Sequence, residues 1–256
     1  MRFSKWHAIG NAYLLVERAD TPLTGETVSA LCDYHRGVGS DGVLEIVSVH
    51  GPEAEVLVWN PDGSTAELSG NGARIAARWL ALRAGVALVR LRIGDRLMRA
   101  RVQGEQVEID LGEVEVGWPE TIEVDGEQIE FTPVSVGNPH AVIRRDADRD
   151  ELLRLGPLIE RHPRFPERTN VQLVRPIGPR ELSVLVWERG AGETQSSGSS
   201  SAAAAAAAIA QGWCENPALV HLPGGTLRVE LRENRAILTG PAVEIFHGEL
   251  TADEYV

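Results

Sequence analysis

The stretch GSSSAAAAAAAIA at residues 198–210 constrains this chain more than any other. Alanine favours the helix above all other residues, yet a helix whose side chains stop at Cβ has no amphipathic stripe with which to dock on a core. What it does allow is close backbone approach from every side, so a sheet can enclose it. Such a segment is expected to run through the middle of a domain. A second segment, GNGARIAARWLALRAG at 70–85, also opens with small residues. Ser-Gly introduces both, as Ser69-Gly70 and Ser197-Gly198. In both, the serine follows at the same spacing a polar residue that ends a strand-like run, Asn60 and Glu188. This layout predicts two pseudo-symmetric domains, each built on one of these helices, facing a common active-site cleft.

Strand-like alternation surrounds the helices in AYLLVE (12–17), GVLEIVSV (42–49), AEVLVW (54–59), VALVRLRI (86–93), LMRARV (97–102) and QVEIDL (106–111), with a similar series after residue 121. Turns such as QGE (103–105) and VDGE (124–127) separate several of them. Two further helices are expected, TGETVSALCDYH (24–35) with a Ser/Thr-type cap and RDELLRLGPLIERH (149–162) with surface-helix spacing. The fold class is α+β, each domain a curved, mostly antiparallel sheet around a central helix. The expected boundaries are 1–113 with about 243–256 for one domain and 114–242 for the other. A formal net charge of −12 without any Lys/Arg run argues against nucleic acid and anionic membranes as partners. No apolar run approaches the roughly 18 to 20 residues of a membrane span, and the N-terminus lacks a signal-peptide core, so a cytoplasmic protein with a small-molecule partner is expected. Cys32 and Cys214 read as ordinary buried thiols.

A helix N-terminus presents unpaired N–H groups and about half a positive charge, which makes it an anion site. Two such starts facing one cleft could grip a carboxylate, with Ser69 and Ser197 flanking the carbon that bears it. That geometry suits removal of a proton from one face and its return to the other. Taken alone, each serine reads better as a plain N-cap, worth about 1 kcal/mol, and it is the surrounding motifs that favour a role in proton transfer.

The segments HAIGNAY (7–13), HRGVGSDG (35–42), NPDGSTAELSGNGAR (60–74), GNPHAV (137–142), RFPERTNVQLV (164–174), WERGAGETQSSGSSS (187–201) and LPGGTL (222–227) together resemble, in order and spacing, the signature segments of diaminopimelate epimerase. The resemblance runs from residue 3 to about 247. It implies an isomerase without cofactor or metal, acting on LL- and meso-2,6-diaminopimelate in lysine and cell-wall biosynthesis, with two domains of one topology and a homodimeric state. It places Asn11, Asn60, Asn170, Glu188 and Arg189 around the distal end of the substrate. Asn138 and His140, with Gly70, Asn71, Gly198 and Ser199, fall around the reacting carboxylate and its proton-transfer groups.

The family's two proton-transfer cysteines match Ser69 and Ser197 here. A thiol has a pKa near 8.5, whereas an alcohol is a far weaker acid and acts as a base only when a partner takes its proton. His140 and Glu188 are the partners the motifs place nearby. The family's usual ACGTGAC or ACGSGAC is SSGSSSA in this chain, so Ser200 stands for a glycine; Ala12 stands where Asp is frequent, and Gly42 where some members carry a polar substrate contact. Four outcomes stay open on these residues: an epimerase with altered proton transfer, a relative that dehydrates a hydroxylated amino acid, an amino-acid-binding protein without turnover, and, ranked last, a carboxylate-dependent isomerase of the phenazine-biosynthesis kind.

Overall fold

The computed structural model describes residues 1–17 and 22–250. The end of the first expected domain, 251–256, lies outside the described residues. The chain divides into two compact units, Met1–Ile109 with Gly240–Val256, and Asp110–Thr239.

In the first unit Arg2–Ala8 pairs antiparallel with Val243–Glu249 on one side and with Asn11–Glu17 on the other. Asn11–Glu17 then lies parallel to Val43–His50, which is antiparallel to Glu53–Trp59. Glu53–Trp59 lies parallel to Leu88–Ile93, followed by antiparallel Arg96–Gln103 and Gln106–Glu113. A parallel pair cannot be joined by a tight turn and needs a crossover. The two crossovers here carry helices α1 (Gly25–Cys32) and α2 (Gly70–Ala84).

The second unit repeats this plan. Glu120–Val124, Glu127–Ser135 and Pro139–Arg144 run antiparallel. Pro139–Arg144 is parallel to Asn170–Gly178, across α3 (Arg149–Glu160). Antiparallel Glu181–Glu188 is then parallel to Ala218–Leu222, across α4 (Gly198–Ala210), and Gly225–Arg232 and Arg235–Pro241 close the series. Even the short return strands correspond, Thr65–Ala66 folding back on Glu53–Trp59 and Gly192–Thr194 on Glu181–Glu188. The α+β class, the mixed but mainly antiparallel pairing and the doubled layout are therefore as the sequence suggests.

Helix α4 touches Glu127–Ser135, Pro139–Arg144, Asn170–Gly178, Glu181–Glu188, Ala218–Leu222 and Gly225–Arg232, and Ala202 to Ala208 are all fully buried. The alanine run thus occupies the core of its sheet. Helix α2 is enclosed only over its first half; its later turns send Trp79, Leu82 and Arg83 outwards, with Leu82 exposed. The amphipathic helices cover the other sheet faces. Leu152, Leu155 and Ile159 of α3 join Ile129, Phe131, Ile143, Val171 and Leu173, while Val28, Leu31 and Cys32 of α1 join Leu14, Val16 and Val43. At Gly156 a Cβ would come within 2.7 Å of the Trp187 ring, so glycine lets α3 seat directly on that indole.

Local chemistry trims the expected elements. The strand expected at 86–93 begins only at Leu88, because Gly85 adopts the left-handed cap of α2 at φ 67° and Val86 N–H donates to Ala81 O at 3.2 Å. The third helix stops at Glu160 rather than running to residue 162. No described helix is long and apolar enough to cross a membrane.

Candidate functional site

In the first unit Trp59 ends its strand and Asn60 opens a turn held by Asn60 N–H to Ser64 O at 2.8 Å, with Asn60 Nδ2 donating to Ser64 Oγ at 3.0 Å. The short return strand then delivers Ser69, with extended backbone, to the start of α2. Ser69 Oγ accepts the N–H of Gly72 at 3.0 Å, as an N-cap should, and lies 3.0 Å from the hydroxyl of Tyr13.

Beside it runs a polar chain. Asp41 accepts from Ala12 N–H at 2.8 Å, from the Tyr34 hydroxyl at 2.9 Å and from Asn11 Nδ2 at 3.1 Å. Asn11 Oδ1 accepts from Asn71 Nδ2 at 3.1 Å, and Asn71 Oδ1 accepts from Arg74 Nη2 at 2.6 Å. Arg74 is fully buried and also donates to Gly70 O at 3.1 Å. Burial pulls its guanidinium pKa down to about 9, which still leaves it cationic at neutral pH. A carboxylate and a guanidinium are thus joined through two amides, and this fixes Asn11 and Asn71 in one orientation.

In the second unit Glu188 ends the corresponding strand, Ala191 N–H donates to Glu188 O at 3.1 Å, and Ser197 caps α4 with Oγ at 3.4 Å from Ser200 N. Glu188 accepts hydrogen bonds from Thr194 Oγ1, at 2.8 Å, and from the Ser197 side chain. Burial pushes its carboxyl above the usual range, against the lowering effect of those two hydrogen bonds. Helix geometry leaves the N–H groups of Gly198 and Ser199 without intrahelical partners. Two of the three extra hydroxyls of this loop have internal partners: Ser200 Oγ accepts from Gln172 Nε2 at 3.0 Å, and Ser201 Oγ donates to Ser197 O at 2.7 Å.

His140 is buried, with Nε2 3.0 Å from Asn138 Oδ1 and Nδ1 3.1 Å from Gln172 Nε2. An amide nitrogen only donates, so Nδ1 is the acceptor and the ring proton is assigned to Nε2. Burial first, and the charge of Arg189 second, pull the imidazole down to about 3, while the Gln172 hydrogen bond opposes them. His140 is a neutral ring with both nitrogens occupied; of the two partners considered for Ser197, the one bonded to it is Glu188.

That environment has a measurable consequence. Between about pH 6.5 and 3 the unfolded chain binds a proton at residue 140 that the folded chain refuses, so stability falls as pH drops, by up to about 1.4 kcal/mol per pH unit. Replacing His140 with Gln should flatten the stability profile by roughly that slope between pH 6 and 5, measured by urea unfolding. An unchanged profile would show that the ring is solvated.

Asn170 is buried, and its amide ties two loops together, donating to Pro139 O at 2.9 Å and accepting from Arg189 N–H at 3.0 Å. Arg189 also donates to Glu167 O at 3.2 Å. Behind this loop the buried Glu160 accepts from Trp187 Nε1 at 2.8 Å, Gly190 N–H at 3.0 Å and Arg168 Nη1 at 3.3 Å. Cys32 and Cys214 are buried free thiols whose pKa values burial pushes up. Tyr13, Asp41, Arg74, Glu160 and Gln172 are central to these networks and did not stand out in the sequence. All but Glu160 lie within segments that carry the motifs; Tyr13, Asp41 and Gln172 meet partners remote along the chain, whereas Arg74 bonds Asn71 and Gly70 one turn back in its own helix.

The family model described as diaminopimelate epimerase matches residues 3–117 and 132–245. The chain belongs to the diaminopimelate epimerase family. A diaminopimelate epimerase of Desulfitobacterium hafniense is 37% identical over 99% of both chains, and one of Stutzerimonas stutzeri is 36% identical over 98% of this chain and 99% of its own length. Among solved structures, a probable proline racemase of Agrobacterium radiobacter superposes with a TM-score of 0.75 at 16% identity, covering 98% of this chain and 93% of that one. Membership of the diaminopimelate epimerase family makes the chain a homologue of isomerases, and the racemase superposition shows the shared fold.

Proposed function

We propose that this chain binds 2,6-diaminopimelate and interconverts its LL and meso forms without a cofactor, using Ser69 and Ser197 as the proton-transfer positions, at a turnover well below that of a thiol pair. The observation that carries this reading is Ser197 at the start of α4, hydrogen-bonded to a carboxyl whose pKa burial raises. A serine hydroxyl can take a carbon-bound proton only as it passes its own to a base, and Glu188 is that base. The N–H groups of Gly198 and Ser199 would hold the reacting carboxylate, and the resemblance to the family gives Gly70 and Asn71 the same role. Asn11, Asn60, Asn170, Glu188 and Arg189 would recognise the remainder of the substrate, with Asn170 acting through the backbone of Arg189, while Asn138, bonded to His140, would belong to the reacting end. The membership of the family supports the substrate class.

Proton NMR of LL-diaminopimelate incubated with the protein in D2O tests the proposal. Loss of the α-proton signal together with appearance of the meso form is expected. Diaminopimelate should also raise the melting temperature more than lysine does, since lysine lacks the distal carboxylate. Saturable binding without exchange would leave a ligand-binding homologue and overturn the catalytic reading. Equal stabilisation by lysine and proline would overturn the substrate.

A further inference from the structure

We propose that the Tyr13 phenol is the proton reservoir behind Ser69, so that the two hydroxyls work as a relay in place of a single thiol. The inference rests on the reading of Ser69 as a proton-transfer position and adds a residue that reading does not use.

Tyr13 lies on Asn11–Glu17, is almost wholly buried, and places its hydroxyl 3.0 Å from Ser69 Oγ. Ser69 Oγ has two lone pairs and one proton. The Gly72 N–H occupies one lone pair. Either hydroxyl could donate in the Tyr13–Ser69 contact; the relay takes Tyr13 as the donor, and its proton then occupies the other lone pair. The serine's own proton is then the group's only remaining valence, left to point at a ligand. Space for the phenol is provided by a glycine: a Cβ at Gly42 would come within 2.7 Å of Tyr13 Cε1 and 2.5 Å of Trp59 O. Gly42 and the Tyr13 ring therefore fit one another.

The relay balances as follows. As Ser69 protonates the α-carbanion, the carbanion's electron pair forms the new C–H bond and the Ser69 O–H bond breaks. In the same movement the Tyr13 O–H bond breaks and its proton forms a new O–H bond on Ser69 Oγ. The negative charge moves from carbon to the phenolate, and in the reverse direction the phenolate recovers its proton through Ser69. A phenol ionises near pH 10, closer to a thiol than an aliphatic alcohol comes, so the charge rests on the better acid's conjugate base.

The test is Tyr13→Phe in the full chain, read by α-proton exchange of diaminopimelate in D2O. The expected result is a fall in kcat on the order of 10²-fold, with KM and melting temperature close to the parent's. In a Ser69→Cys background the same change should cost at least about tenfold less, because a thiol ionises without help. An equal loss in both backgrounds, or a loss seen only in KM, would make Tyr13 a packing residue and overturn the relay. Unchanged exchange in Tyr13→Phe would overturn the relay while the epimerase reading stands. A parent that binds but does not exchange would overturn both.

Discussion

Converting both Ser69 and Ser197 to Cys should raise the rate of diaminopimelate epimerisation by on the order of 10³-fold, the range in which a well-placed acid or base acts. Both positions already hold what a thiolate needs. Each caps a helix whose N-terminal N–H groups and dipole favour an anion at that point. Each hydroxyl has a second polar partner, Tyr13 for Ser69 and Glu188 for Ser197. The substituted chain differs mainly in acidity. Exchange of the α-proton in D2O, compared at saturating ligand, gives the measurement. A gain below about tenfold with binding intact would show that the hydroxyls do not limit the rate, and would shift attention to the SSGSSS loop.

A single leucine at Ala205 should destabilise the second unit by about 3 kcal/mol, at the upper end of what overpacking costs. Ala205 sits midway along a run in which Ala202 to Ala208 are fully buried, and α4 meets strands on so many sides that no rotamer can swing the added methyls to water. A loss of that size lowers the melting temperature by about 8 °C in a chain of this length. Ala210→Leu, at the exposed end of the same helix, should change stability by less than about 0.5 kcal/mol. If the two substitutions cost the same, the helix is not enclosed as described.

Helix α4 was legible before any coordinates because its composition leaves one physical solution. The starts of α2 and α4 were equally readable, since Ser-Gly after a turn is both a cap and a motif. The boundary at residues 86–87 was not, because Val86 is a good strand residue whose N–H is claimed by the C-terminal cap of α2. The state of His140 could not be read from GNPH either. It depends on Gln172, brought alongside by the parallel pairing of Pro139–Arg144 with Asn170–Gly178, and a glutamine in a strand carries no mark of which ring it will meet. The same holds for Tyr13, which resembles any buried aromatic until its hydroxyl is seen against Ser69. Local chemistry is written locally; partners separated by tens of residues are set by sheet order.

The enclosure of α4 also ranks the motions open to this protein. Native-state hydrogen exchange follows the free energy of opening, and amides at the centre of a sheet are released only when the whole unit opens. The backbone of Ala202 to Ala208 should therefore belong to the slowest-exchanging foldon, and Ser197 is anchored directly to its leading end. The half-exposed turn at Gly190–Thr194 should open at far lower cost, while the hydroxyl that would meet the ligand stays tied to the last part of the unit to let go.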